Sequence, residues 1–122
     1  QWQRAQLNSV SQGLYRRLLH HEGIDQLFHG MDIEGQASMF CMFVTTAIQW
    51  LGRRDFMRLE RDILQLGMRH AQYGLDMSML STFQLSLFLS LRDELGTAFL
   101  EHEWAFIWMH FITRPFLNGL AR

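Results

Sequence analysis

His70 is the residue whose type and position most clearly indicate chemistry. It ends a set of apolar residues at a 3,4,3,4 spacing, which places all five side chains on one face of a helix: Phe56, Leu59, Ile63, Leu66 and His70. A buried imidazole without a partner costs about 1–3 kcal/mol, so the core around His70 should supply a hydrogen-bond acceptor or a metal ion. If His70 ligates a metal, we expect its other ring nitrogen to donate to a backbone carbonyl one turn earlier. A core histidine satisfied by that carbonyl alone is the alternative.

The residues that follow His70 narrow the choice of metal. They form the run Arg69-His70-x-x-Tyr73-Gly74-Leu75, which resembles the proximal-histidine segment of bacterial globins. The resemblance implies that His70 ligates the iron of haem b, with Leu66 and Tyr73 beside the cofactor and Arg69 near a haem propionate.

Residues upstream of His70 extend this resemblance. Tyr15 in Leu14-Tyr15-Arg16-Arg17-Leu18-Leu19 and Phe28 in Leu27-Phe28 resemble, within a residue of spacing, the second-helix tyrosine and the haem-stacking phenylalanine of flavohaemoglobin-like globins. Gln36, which lies 34 residues before His70, is similar in place to their distal glutamine. Tyr15 and Gln36 would then donate hydrogen bonds to a bound diatomic gas, and Phe28 would stack on the porphyrin.

Further apolar residues would complete such a pocket. Phe40 and Phe43 would line its distal side and Phe83 its inner side. Taken without the resemblance, these residues also fit an ordinary helical core, Tyr15 fits a core edge, and Gln36 fits the start of a helix.

Helical periodicity over almost the whole chain predicts an all-α, globin-like fold in one domain, residues 1–122, with a shortened first and a shortened last helix. The predicted helices cover roughly residues 3–21, 36–51, 55–70, 76–95 and 101–113. Asp55 and Asp76 are predicted N-caps, Gly74 and Gly96 are predicted helix ends, and Pro115 is expected to weaken any continuation of the last helix.

Each predicted helix besides the one that ends at His70 has an inward face. The residues assigned to these faces are Leu7, Val10, Leu14 and Leu18, with Tyr15 and Leu19 beside them; Gln36, Met39, Phe40, Phe43, Val44, Ala47 and Leu51; Leu80, Phe83, Gln84, Leu87 and Leu91; and Trp104, Ile107, Trp108, Phe111 and Ile112. Phe106 points away from its stripe and is a candidate for an interface.

Composition argues against several function classes. A net charge of −1 gives no field that would attract nucleic acid. All 11 cationic side chains are arginine, which excludes lysine Schiff-base chemistry. No apolar run reaches the roughly 18 residues of a membrane span, and we expect a cytoplasmic protein in which the lone Cys41 is a small buried hydrophobe. The start at Gln1 is expected for a domain of a longer polypeptide.

The chain departs from the flavohaemoglobin pattern in one informative position. Those globins have a tyrosine ten residues after the proximal histidine, where this chain has Leu80. A histidine without that partner donates less electron density to iron, which favours reversible gas binding or sensing over peroxidase-like chemistry. No Gly-x-Gly-x-x-Gly segment of a reductase is present either.

The sequence therefore predicts a haem-binding globin that holds oxygen, nitric oxide or carbon monoxide as a carrier or as the input module of a sensor. Two alternatives stay open: a haem-free globin-like regulatory module that packs its helices against a partner or a copy of itself, and a nitric oxide detoxifying globin that needs a separate reductase. A non-globin helical bundle is a third, since fold does not follow from helices alone.

Overall fold

A computed structural model describes residues 4–21, 23–75, 77–96 and 101–122, and every element assigned within these ranges is helical. The elements are α1 (Arg4–Leu18), a short 3-10 helix (Asp25–Phe28), α2 (Ile33–Gly52), α3 (Phe56–Ala71), α4 (Met77–Leu95), α5 (Glu101–Ile107), a π-helical segment (Trp108–Thr113) and α6 (Arg114–Leu120). The predicted all-α class is confirmed. None of the helices in the described ranges is long and apolar enough to cross a membrane.

Local signals in the sequence set several helix ends. The carboxylate of Asp55 accepts a hydrogen bond from the backbone N–H of Arg58 at 3.3 Å and so caps α3 as predicted. Gly74 and Gly96, which follow α3 and end α4, have φ values of 81° and 57° that favour glycine. The predicted cap Asp76 lies outside the described residues.

The chain divides into two compact units. The first unit comprises Gln1–Val44 and Met79–Phe99, and the second comprises Thr45–Ser78 and Leu100–Arg122. In the first unit, the four inward residues predicted for α1 are buried: Leu7, Val10, Leu14 and Leu18. Arg17 ties α1 to α4, because its guanidinium donates to Ser90 Oγ at 2.8 Å and pairs with the carboxylate of Asp93.

In the second unit, α3 packs on α6 through two buried glycines. A Cβ on Gly67 would collide with the carbonyl oxygen of Phe116, and a Cβ on Gly119 would collide with that of Leu64. The two helix backbones therefore lie in direct contact. Near the start of α3, Phe56 stacks on Phe111 of the π-helical segment with ring centroids 5.4 Å apart.

The prediction that Pro115 weakens the last helix was wrong, because helical structure continues through Pro115 to the end of α6. Proline lacks an N–H, and its ring collides with the carbonyl four residues earlier in a regular α-helix. Here Pro115 lies in the first turn of α6, directly after the π-helical segment, where the regular hydrogen-bond ladder is already interrupted.

Four residues assigned to inward faces are exposed instead: Leu19, Met39, Phe56 and Ile107. Leu19 lies beyond the last residue of α1. Met39 lies beside the buried stripe of α2, which follows Ala37, Phe40, Cys41 and Val44. The predicted burial of Cys41 and the predicted exposure of Phe106 are confirmed.

Candidate functional site

The imidazole of His70 has one ring nitrogen bonded to the backbone of its own helix. Nδ1 lies 2.9 Å from the carbonyl oxygen of Leu66, one turn earlier in α3. A carbonyl oxygen only accepts, so Nδ1 is the donor in this hydrogen bond and Nε2 carries the lone pair of the neutral ring. The sequence predicted this hydrogen bond to the carbonyl one turn earlier. A histidine that ligates iron and a histidine with a purely structural role would both form it.

Two aromatic rings flank His70. The ring of Phe116 approaches with centroids 5.3 Å apart at an interplanar angle of 64°, and the ring of Tyr73 approaches at 5.6 Å and 76°. Phe116 is buried, whereas Tyr73 is 66% exposed. Among the described residues, no side chain or carbonyl forms a hydrogen bond with Nε2 of His70.

Sequence reasoning missed Phe116. The signal that could have found it is the spacing of Trp108, Ile112 and Phe116 at intervals of four, which continues the apolar stripe of the preceding helix. Pro115 interrupts that pattern in the sequence and predicts the end of the stripe.

The stripe that ends at His70 is only partly buried. Leu59 and Ile63 are buried, and Leu66 and His70 are half-buried. Phe56 is exposed, although its ring stacks on that of Phe111. Arg69, the candidate partner of a propionate, is exposed at the end of α3. Among the described residues, no carboxylate forms an ion pair with its guanidinium.

Five residues predicted to line a pocket form one aromatic cluster in the first unit. Tyr15 contacts Phe28 edge-on with centroids 5.6 Å apart, and it contacts Phe40 at 6.4 Å. Phe40 in turn contacts Phe83 edge-on at 5.5 Å and Phe43 at 6.1 Å. This cluster, called here the Tyr15 cluster, brings together side chains of α1, the 3-10 helix, α2 and α4.

Tyr15 is the polar member of the Tyr15 cluster. Burial raises the pKa of its hydroxyl from 10.0 to about 12, so the group keeps its proton to a higher pH than an ordinary tyrosine does. Within the described ranges, no protein atom forms a hydrogen bond with this hydroxyl. The hydroxyl oxygen is not among the fully enclosed polar atoms without a partner, so it retains some access to solvent.

Gln36 occupies a different environment. It lies in the first turn of α2, is half-buried, and its backbone N–H donates to the carbonyl oxygen of Asp32 at 3.0 Å. Nothing in the described structure joins its side-chain amide to the Tyr15 cluster through a hydrogen bond.

A shallow depression of about 420 Å³ lies on the second unit and includes none of the residues predicted to bind a cofactor. Its lining comes from α5, the π-helical segment and the start of α6: His102, Ala105, Phe106, Met109, His110 and Arg114. The rings of Phe106 and His110 stack there almost parallel, with centroids 5.7 Å apart.

Metal binding by protein ligands alone has no candidate site among the described residues. Among the described residues, no three His, Cys, Asp or Glu side chains converge in a way that could hold a metal ion. Haem iron needs only one ligand from the protein, which a neutral imidazole with a bonded Nδ1 can supply. No protein-family model, curated protein or solved structure matches this chain.

Proposed function

We propose that this chain binds haem b through His70 and holds a diatomic gas, namely oxygen, nitric oxide or carbon monoxide, as a carrier or as a sensor module. The hydrogen bond from Nδ1 of His70 to the carbonyl of Leu66 carries the proposal. It selects the tautomer in which Nε2 can donate its lone pair to iron, and it holds the ring at one end.

Haem would supply an iron atom that takes up the gas, and His70 would hold that iron from α3. Arg69, which precedes His70 in α3 and is exposed, is the proposed partner for a propionate.

The ligand assignment is tested by replacing His70. The haem-free protein is mixed with haem, and the absorption spectra of the ferrous and carbon monoxide forms are recorded. We expect a Soret band in the wild type, a lost or displaced band in His70→Ala, and partial recovery when free imidazole is added to that variant.

His20→Ala is the matched control. His20 makes the same kind of contact, from Nδ1 to the carbonyl oxygen of Arg16 four residues earlier at 2.7 Å, but it is exposed and lies two residues after the end of α1. The spectra of His20→Ala should equal those of the wild type. A wild type without a Soret band, or His70→Ala with an unchanged spectrum, would contradict the proposal.

The second candidate function is a haem-free regulatory module that binds a copy of itself through α5. The exposure of Phe106 and Met109, at 67% and 49%, favours it, because large apolar side chains in such a depression are typical of interfaces. Sedimentation over a range of concentrations tests it. We expect a concentration-dependent dimer in the haem-free wild type that Phe106→Ser abolishes, and a monomer at all concentrations would exclude it.

A further inference from the structure

We infer that Phe116 is a positioning residue for His70, whose ring sets the plane of the imidazole. This inference rests on the proposed function, because the plane of the ring matters when Nε2 must meet a ligand from a fixed direction. A single hydrogen bond at Nδ1 holds one atom of the ring and leaves the ring free to rock about that bond. A second contact from another direction removes this freedom.

Phe116 supplies the second contact from a rigid position. The rings of Phe116 and His70 have an interplanar angle of 64° and centroids 5.3 Å apart. Phe116 is buried, whereas Tyr73, the other ring in contact with His70, is largely exposed. A buried aromatic ring held by its neighbours confines an adjacent ring more than an exposed one does.

The backbone of Phe116 is held as firmly as its side chain. Its carbonyl oxygen lies against Gly67, three residues before His70, at the point where α3 and α6 cross. Gly119, one turn later, lies against the carbonyl of Leu64 in the same way. Neither helix can shift along the other without a collision between backbone atoms, so the distance between Phe116 and His70 is fixed by the crossing.

The π-helical segment Trp108–Thr113 sets the direction in which Phe116 points. A π turn contains about one residue more than an α turn, so it rotates everything after it by roughly 100° relative to an uninterrupted α-helix. Phe116 follows the segment by three residues. Its position opposite His70 therefore depends on this widened turn.

The test compares Phe116→Leu, Phe116→Tyr and Phe111→Leu with the wild type. Leucine removes the ring edge and keeps an apolar side chain, while tyrosine keeps the ring. Phe111→Leu is the control, because Phe111 stacks on Phe56 in the same unit. The first readout is nuclear magnetic resonance of the haem-free proteins: the ring resonances of His70 and the nuclear Overhauser effects between the rings of residues 70 and 116.

The second readout uses haem-loaded protein: the iron–histidine stretching band of the ferrous form and the haem dissociation constant. In Phe116→Leu we expect displaced His70 resonances, a displaced stretching band and a loss of haem affinity of about tenfold, as for other contacts that orient a ligand. In Phe116→Tyr and Phe111→Leu, all these signals should stay close to those of the wild type.

Unchanged His70 resonances in Phe116→Leu would overturn the inference, and so would the same displacement in Phe111→Leu. If Phe116→Leu does not fold, two other measurements test the inference. The absence of nuclear Overhauser effects between the rings of residues 70 and 116 in the wild type would contradict the contact. Displaced His70 resonances in Phe116→Tyr would contradict it as well. A wild type that takes up no haem would refute the proposed function alone, because the haem-free measurements still test the positioning.

Discussion

Gly67 of α3 and Gly119 of α6 each lie where the neighbouring helix backbone leaves no room for a side chain. An added Cβ at either position would fall closer than 3.0 Å to a backbone carbonyl oxygen of the other helix. A glycine inside a helix costs about 0.5–1 kcal/mol relative to alanine. The close contact between the two backbones offsets that cost and brings α6 within reach of His70.

Gly67→Ala should lower the free energy of unfolding by about 1–3 kcal/mol, because the new methyl group forces the helices apart despite the better helix propensity of alanine. Urea denaturation measures this change. Gly52→Ala is the control, since nothing lies within 4 Å of a Cβ built at the end of α2, and it should change the stability by less than about 0.5 kcal/mol. If Gly67→Ala were as stable as the wild type, α3 and α6 would not cross at this distance.

The features that the sequence predicted correctly depend on neighbours along the chain. Asp55 caps the helix that it precedes, Gly74 and Gly96 have the positive φ expected after a helix, and His70 reaches the carbonyl of Leu66 one turn back. Each relation spans at most four residues, so spacing and residue type were sufficient.

The features that the sequence did not predict depend on residues far apart. The reciprocal fit of Gly67 and Gly119 appears only when α3 and α6 are packed together. Pro115 ends a helix in most contexts, and the widened turn that accommodates it cannot be read from the residues alone. Because the continuation past Pro115 was missed, the contact of Phe116 with His70 was missed with it.

The free energy of unfolding should decrease at alkaline pH because of Tyr15. Burial raises the pKa of its hydroxyl from 10.0 to about 12, so the unfolded chain loses this proton first as the pH rises above 10. The contribution of Tyr15 to the free energy of unfolding is therefore fully present below pH 10, and it decreases between pH 10 and 12. The expected loss between pH 9 and pH 11 is about 1 kcal/mol in the free energy of unfolding.

Urea denaturation of Tyr15→Phe at both pH values checks this expectation, because the variant should lack that part of the decrease. The chain has no lysine, so few other side chains contribute to the pH dependence of stability in this range. Tyr73→Phe, at an exposed position, serves as the control and should retain the decrease. An equal pH dependence in Tyr15→Phe and the wild type would show that Tyr15 is not buried as described.

The pair of Arg17 and Asp93 should couple α1 to α4 only weakly. Their side chains are 33% and 67% exposed, and ion pairs at such positions contribute at most about 1 kcal/mol. A double-mutant cycle of Arg17→Ala and Asp93→Ala measures the coupling, which should decrease further at high salt. The single variant Arg17→Ala should cost more than Asp93→Ala, since it also removes the hydrogen bond to Ser90. Equal losses in the two single variants would contradict this assignment.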